Sequence, residues 1–221
     1  MERIYMENVI RIIKPKVVPV LIEPYAYEMI ERAGRTCYKS EKYITEGSAK
    51  AFCEKIMKLE HTSVLEFAKA TFRIICDRGV SHELVRHRLA SFCQESTRYC
   101  SYKNKPIAFI QPYWLDSKIL KQYKQDENSV PPYVRAWIKS CSKSASTYRS
   151  LMEAGLPAQA ARAVLNNSLK TEVVMSANFR EWLHFLKLRT STKAHPDMQI
   201  IANLIKAELV KRYPIIFDNE K

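Results

Sequence analysis

Glycine is scarce in this chain. Gly34, Gly47, Gly79 and Gly155 are the only four in 221 residues. They stand far apart, so neither GxGxxG nor GxxxxGK occurs, and both glycine-loop routes to a nucleotide phosphate are excluded. A phosphate ligand would instead be held by side chains and helix ends. The six cysteines, Cys37, Cys53, Cys76, Cys93, Cys100 and Cys141, form no CxxC pair, which argues against a zinc or thioredoxin-type site; no metal is expected. No basic run of the kind that makes a nucleic-acid tail is present. No segment is long and apolar enough to span a bilayer. The opening MERIYMENVIRIIKPK interleaves charges with apolar residues and lacks the apolar core of a signal peptide. These absences predict a soluble, cytoplasmic protein with reduced thiols and no membrane partner.

What the chain has is apolar residues and positive charge. The apolar share, 47%, is enough for a core and too high for a disordered chain. Lys and Arg total 36 against 23 acidic residues, a net charge of +13. Such a surface attracts anions: nucleic acid, lipid headgroups or small polyanionic metabolites.

Periodicity outlines one α+β domain over residues 1–221, with a mixed or antiparallel sheet and flanking long helices. Residues 9–21 read as β structure interrupted by Pro15 and Pro19, which suits a sheet edge. Pro24 opens a helix that Gly34 should stop. Residues 48–60 have helical spacing at Ala51, Phe52, Ile56 and Leu59. FAKATFRIIC (67–76) alternates as a half-buried strand, with Ala68, Ala70, Phe72, Ile74 and Cys76 on one face. Ser81 is the expected N-cap of a helix HELVRHRLA. Residues 107–110 form a short strand, 113–128 a weakly patterned helix, and 130–155 a long amphipathic helix closed by Gly155. Residues 156–167 open another helix and 169–178 read as a strand. Asn178, with Glu181 three residues on, caps a helix through Arg189 whose apolar face is Phe179, Trp182, Leu183 and Leu186. A last helix runs from Pro196 to about Tyr213.

Three clusters could carry chemistry. In RHRLASFCQESTRY (86–99), Arg86, His87, Arg88 and Arg98 surround Ser91, Cys93, Gln94 and Ser96. If the helix continues, Glu83 and His87 share a face. A basic helix end explains this spacing through the macrodipole alone; a phosphate clamp explains it as function, since Arg offers planar bidentate donors. The second cluster is Arg162, Asn178, Arg180, His184 and Arg189, with Arg180 and His184 on one face, away from the apolar stripe. It is also explained by a solvated face unless it converges with the first. The third is LEHTSVLEF, where His61 and Ser63 precede a strand.

Arg86-His87-Arg88, seven residues and then Ser96 resembles the signature of the flavin-dependent thymidylate synthases. HTSVLEF, LPAQAARAVL and NFREWLHFLKLR resemble that family's other segments, in the same order, over roughly residues 55–212. The resemblance implies reductive methylation of dUMP to dTMP. FAD is the hydride carrier, NADPH the reductant and 5,10-methylenetetrahydrofolate the carbon donor. It implies a homotetramer whose active sites are shared between subunits. Carried over by motif position, His61, Ser63, Arg86, His87, Arg88, Gln94, Asn178, Arg180 and His184 are expected at the flavin. Glu83, Arg86, Gln94, Glu95, Ser96, Thr97, Arg98, Arg162 and Arg189 are expected at dUMP. Arg189 is the expected catalytic residue, bearing on ionisation of the uracil N3; a guanidinium stays charged at working pH and stabilises negative charge developing on the ring.

Two positions depart from the family pattern: Cys93 stands where Asn is usual, and Phe67 where many relatives have His. Cys93 invites a nucleophile reading, because nearby arginines favour a thiolate, but the family places no chemistry there. Ser96 has no base-and-orienter pair in sequence and reads as a dUMP ligand. The competing class is a nucleic-acid-binding protein that stacks bases on Tyr99, Tyr102 and Tyr113; the resemblance does not favour nucleic acid as a partner.

Overall fold

The computed structural model describes residues 4–6 and 10–218. The chain winds through two compact units: residues up to 16, 75–84 and 94–173 form unit 1, and residues 17–74, 85–93 and 174 onward form unit 2. Helices and strands are both abundant in the α+β manner expected, and the strands among the described residues form two sheets.

Unit 1 is organised around β2 (Ile10–Ile13), which pairs antiparallel with β1 (Ile4–Met6) and parallel with β6 (Ile107–Ile110). That three-stranded sheet is mixed. Residue 9, the first of the expected β segment, lies outside the described residues. Ile10, Ile12, Ile107 and Phe109 project into a core completed by α5 (Pro132–Glu153), the long amphipathic helix expected. Its buried Val134, Ile138, Cys141, Ala145 and Tyr148 recur at three- and four-residue steps, one helix face. Pro132 starts α5, and Gly155, at φ +95°, follows its end in the left-handed region that glycine occupies without strain. The Asp116 carboxylate caps α4 (Ser117–Gln125) by accepting from the Lys118 N–H. The helix expected after Leu156 is brief, α6 (Ala158–Ala161) and one 3₁₀ turn.

A four-stranded sheet has the order β3 (Lys16–Ile22), β4 (Lys69–Asp77), β7 (Lys170–Asn178), β5 (Ala90–Gln94). Pro19 lies in β3, an edge strand, where a missing N–H costs no ladder bond. Ala68 accepts from the Phe179 N–H, and the Thr71 hydroxyl donates to Ser176. As one strand advances the other retreats, so β4 and β7 are antiparallel. Ala70, Phe72 and Ile74 on β4 are buried on one face, as the alternation predicted. Phe67 is not part of that face: it ends a 3₁₀ turn over Thr62–Phe67 and is exposed.

In unit 2, α1 (Ala26–Cys37) and α2 (Ser48–Lys58) pack on each other. Gly34 does not stop α1. It is buried inside it, and a Cβ there would stand 2.5 Å and 2.7 Å from ring atoms of Phe52. A side chain there would force the Phe52 ring to move, so the glycine fits the close approach of α2 in spite of a helix penalty of about 1 kcal/mol. α2 buries Ala49, Cys53 and Ile56, while Ala51 and Leu59 are exposed. The packing face is therefore rotated from the one that apolar spacing suggested. α7 (Phe179–Arg189) buries Phe179, Trp182, Phe185 and Leu186. Trp182 meets Phe72 edge-on at 5.2 Å, and its indole N–H donates to the Ala70 carbonyl. α8 (Pro196–Arg212) packs on α7 and on α9 (Pro214–Phe217). Among the described residues, no helix is long and apolar enough to cross a membrane, and all six cysteines are free.

The Asn178 side chain accepts from the Glu181 N–H at 2.8 Å, the cap anticipated from sequence. Replacing Asn178 with Ala should lower unfolding free energy by about 1 kcal/mol, measured by urea denaturation; an unchanged midpoint would show that the cap adds nothing.

Candidate active site

The RHR segment is not helical. α3 (Arg78–Leu84) begins three residues before Ser81, because the Asp77 carboxylate accepts from the Val80 N–H at 2.8 Å. Ser81 is not a cap; it is buried, and its hydroxyl donates to the Arg78 carbonyl. The helix stops at Leu84, so Arg86, His87 and Arg88 occupy the turn into β5. The shared helix face expected for Glu83 and His87 therefore does not exist.

That turn aims its three side chains differently. Arg86 and Arg88 are exposed, whereas His87 is buried against α7. The His87 ring lies 4.9 Å from that of Phe185 and 6.1 Å from that of His184. Arg189 Nε donates to His87 Nε2 at 3.0 Å, and His87 Nδ1 is 3.2 Å from the Glu181 carboxylate. A guanidinium has no acceptor, so Nε2 must carry the lone pair. The proton then sits on Nδ1 and is donated to Glu181. Burial, aided by the charge of Arg189, holds the His87 pKa below its ordinary 6.5, while the hydrogen bond to Glu181 opposes that fall. His87 is a neutral imidazole of one tautomer.

The other flavin-assigned residues of unit 2 converge on α7. The turn bearing His61 and Ser63 packs on that helix, and Arg180 pairs with Glu66 of the same turn at 2.5 Å. Arg180 and His184 are exposed, as their spacing predicted. His61 also lines a cleft of about 690 Å³ with Arg35, Tyr38, Tyr43, Phe52 and Lys55, and Ser63 lines a smaller cavity beside Gly34. His87, Glu181 and His184 place ligating atoms within 4.8 Å of one another. Both nitrogens of His87 are already committed, however, and one of them to a fixed cation, so the trio does not make a cation site.

Unit 1 holds the remaining predicted residues. Gln94 donates to the Ser81 and Thr171 hydroxyls at 3.0 Å and 3.1 Å. Glu95 accepts from the Tyr102 hydroxyl at 3.0 Å and pairs with Lys170 at 2.8 Å. Both side chains are pinned by their neighbours. Arg162 donates to the Thr97 hydroxyl at 3.1 Å, and these two line a cavity of about 250 Å³ with Arg78. The Ser96 hydroxyl accepts from the Arg98 N–H, a turn contact rather than a base. Arg98 is exposed with its guanidinium over the Tyr99 ring, and Glu83 is half-buried near the end of α3. Cys93 is exposed on β5. Tyr102, one of three tyrosines considered for base stacking, is buried, and burial with the Glu95 charge pushes its pKa up.

Sequence reasoning missed Glu181, Phe185 and Arg78. Glu181 lies at the third helical position, where a capping-box role explains its presence. Its burial at 5% exposure is the only sign of another partner, and burial of one acidic residue is not legible from spacing.

The fold and site define an α+β protein that presents clustered arginines without a glycine loop. The comparisons narrow that class. Residues 21–215 match the family model for thymidylate synthase complementing proteins. A flavin-dependent thymidylate synthase of Geobacter sulfurreducens is 34% identical over 177 residues, covering 77% of this chain and 71% of its own length. That of Mycobacteroides abscessus is 31% identical over 193 residues, covering 86% and 77%. Among solved structures, thymidylate synthase X of Helicobacter pylori with FAD and dUMP superimposes with a TM-score of 0.73 at 25% identity, covering 93% of this chain and 98% of that one. A UMP/dUMP methylase from Streptomyces cacaoi, at 23% identity and a TM-score of 0.76, shares the fold over 94% of this chain and 95% of its own. This chain belongs to the thymidylate synthase complementing protein family.

The depressed His87 pKa has a stability consequence. The unfolded chain takes up a proton at this position near pH 6.5 and the folded chain only lower, so the unfolded state binds more protons in that window and stability falls as pH falls through it. The melting temperature should drop on acidification from pH 7 toward the lowered pKa, and His87→Gln should flatten that part of the profile. An unchanged slope in thermal melts across pH would place the histidine's charge elsewhere.

Proposed function

We infer that this chain is a flavin-dependent thymidylate synthase, converting dUMP to dTMP with 5,10-methylenetetrahydrofolate as carbon donor, FAD as hydride carrier and NADPH as reductant. The observation that carries the reading is the Arg189–His87 hydrogen bond, which joins the RHR segment to the C-terminal block that the resemblance pairs with it. We read the two compact units as one catalytic domain, working as a cytoplasmic homotetramer with shared active sites.

The donor set of unit 2 suits a flavin dinucleotide. Exposed Arg86, Arg88 and Arg180, with His61, Ser63 and His184, offer cationic and hydroxyl partners for a diphosphate without a glycine loop. Bound FAD supplies the redox chemistry. In unit 1 the cavity with Arg78, Thr97 and Arg162 gathers two guanidiniums suited to the dUMP phosphate, with Arg98, Ser96 and the held Gln94 and Glu95 as further nucleotide contacts. For the uracil to take a one-carbon unit at C5, electron density must rise there. Arg189 stabilises the negative charge that ionisation at N3 places on the ring, which lowers the barrier rather than merely binding substrate.

The purified protein should be yellow and form dTMP only when methylenetetrahydrofolate and a reductant are both present. A colourless protein that binds neither FAD nor dUMP would sink the reading. Arg189→Lys keeps charge but loses the planar fork, so kcat should fall about a hundredfold with flavin affinity little changed; equal losses in both contradict the assigned role. Cys93→Ala should retain turnover, whereas complete loss with intact dUMP binding would make the thiol a nucleophile.

A further inference from the structure

We propose that Gln94 sets specificity for the nucleotide: it offers an acceptor and no donor, and that acceptor takes the 3′-hydroxyl of the deoxyribose. Ser81 and Thr171 are its positioning residues. The proposal rests on the reading of unit 1 as the dUMP site. A glutamine amide carries two N–H donors on one atom and a carbonyl oxygen on the other, and its partners decide which way it turns. Gln94 ends β5 and is half-buried. Its Nε2 donates to the Ser81 hydroxyl at 3.0 Å and to the Thr171 hydroxyl at 3.1 Å. A hydroxyl has one proton to give. Ser81 gives its own to the Arg78 carbonyl at 2.9 Å, so it meets Gln94 as an acceptor. Turning the amide over would set the Gln94 oxygen against that lone pair. Ser81 and Thr171 are 0% and 1% exposed, so water is not at hand to make good the loss. Both amide protons therefore stay inside. The Gln94 oxygen takes no hydrogen bond from a described residue and is left for a ligand.

The ligand group that fits follows from chemistry. An acceptor needs a donor, and the ionised phosphate assigned to Arg78 and Arg162 has none. dUMP carries two donors elsewhere, the uracil N3–H and the 3′-hydroxyl. N3 is the position that loses its proton when Arg189 stabilises charge on the ring, so an acceptor there would hold the proton in place. The 3′-hydroxyl keeps its proton throughout. It is also the donor nearer the phosphate, because the sugar stands between phosphate and base. Ser81, which orients Gln94, follows Arg78 by three residues on α3, about 4.5 Å along the helix. Arg78 in turn lines the cavity shared with Thr97 and Arg162. On Glu95, by contrast, both carboxylate oxygens already accept, one from Tyr102 and one from Lys170, and the backbone N–H donates to the Glu172 carbonyl. A site built to accept from a hydroxyl discriminates against a ligand that lacks it, because the oxygen is then left without its partner.

The test compares dUMP with 2′,3′-dideoxyuridine monophosphate, which lacks only the 3′-hydroxyl, by calorimetry on the FAD-loaded protein. dUMP should bind about tenfold more tightly. Gln94→Met, close in shape but without the acceptor, should erase that ratio by weakening dUMP alone. Thr171→Val removes the acceptor of one amide proton and should shrink the ratio, and Thr171→Ser should restore it. A residue that merely supports the fold would weaken both ligands alike. Equal binding of the two ligands by the unaltered protein overturns the proposal, as does a ratio that survives in Gln94→Met. dUMP methylated at N3 is the control for the base. If Gln94→Met changes the penalty for that methyl group and leaves the dideoxy penalty intact, the acceptor serves the uracil edge and the proposal fails. Should Gln94→Met not fold, the ratio in Thr171→Val decides. A protein that binds no dUMP at all sinks the reading of the site, whereas dTMP formation without discrimination at the 3′ position sinks this inference alone.

Discussion

A buried imidazole must satisfy two nitrogens that differ in kind, one donor and one acceptor. In this protein His87 does so between a carboxylate and a guanidinium, and much of unit 2 is arranged to permit it. α7 supplies Glu181, His184, Phe185 and Arg189 to the neighbourhood of one ring. To do that the helix must start at Phe179, which the Asn178 cap enforces, and must be anchored in rotation, which Trp182 enforces through Phe72 and the Ala70 carbonyl. A helix rolled by one residue, about 100°, would take both Glu181 and Arg189 off the histidine.

Burial of charge makes this arrangement costly to break. A buried carboxyl group is costly to leave without a hydrogen-bond partner, and a histidine packed on phenylalanine has little room to find another. By contrast, Arg86 and Arg88, on either side of His87, are exposed. One short turn thus serves two purposes. Its centre is buried against α7, and its flanks leave two guanidiniums exposed. The net charge of +13 is carried in part by such exposed positions.

Unit 1 follows a different pattern. Gln94 and Glu95 leave β5 and are fixed at once by Ser81, Thr171, Tyr102 and Lys170. Side chains held this way have already given up their rotamer freedom in the folded chain. Tyr102, which reads from sequence as a stacking aromatic, is drawn instead into this network as a donor to Glu95. Tyr99 and Tyr113, by contrast, are exposed.

Long, strongly periodic elements were legible from the chain itself. The span of α5, the alternation of β4, the Asn178 cap and the Pro19 edge strand all follow from local physics: side-chain period, cap chemistry and the missing proline N–H. The RHR-to-Ser96 spacing carried the family. Local rules failed where a distant partner decided the outcome. Gly34 reads as a helix stop, yet Phe52 from α2 makes it a packing glycine. Ser81 reads as a cap, yet Asp77 takes that place one turn earlier. The RHR segment reads as helix, yet it turns at Leu84. Glu181 reads as a capping residue, and only the tertiary structure turns its carboxylate to His87. Residue types and their spacing thus determined which chemistry this chain carries. Which nitrogen of His87 holds the proton, and toward what Arg189 is aimed, was decided by packing between segments about a hundred residues apart, where no local pattern reaches.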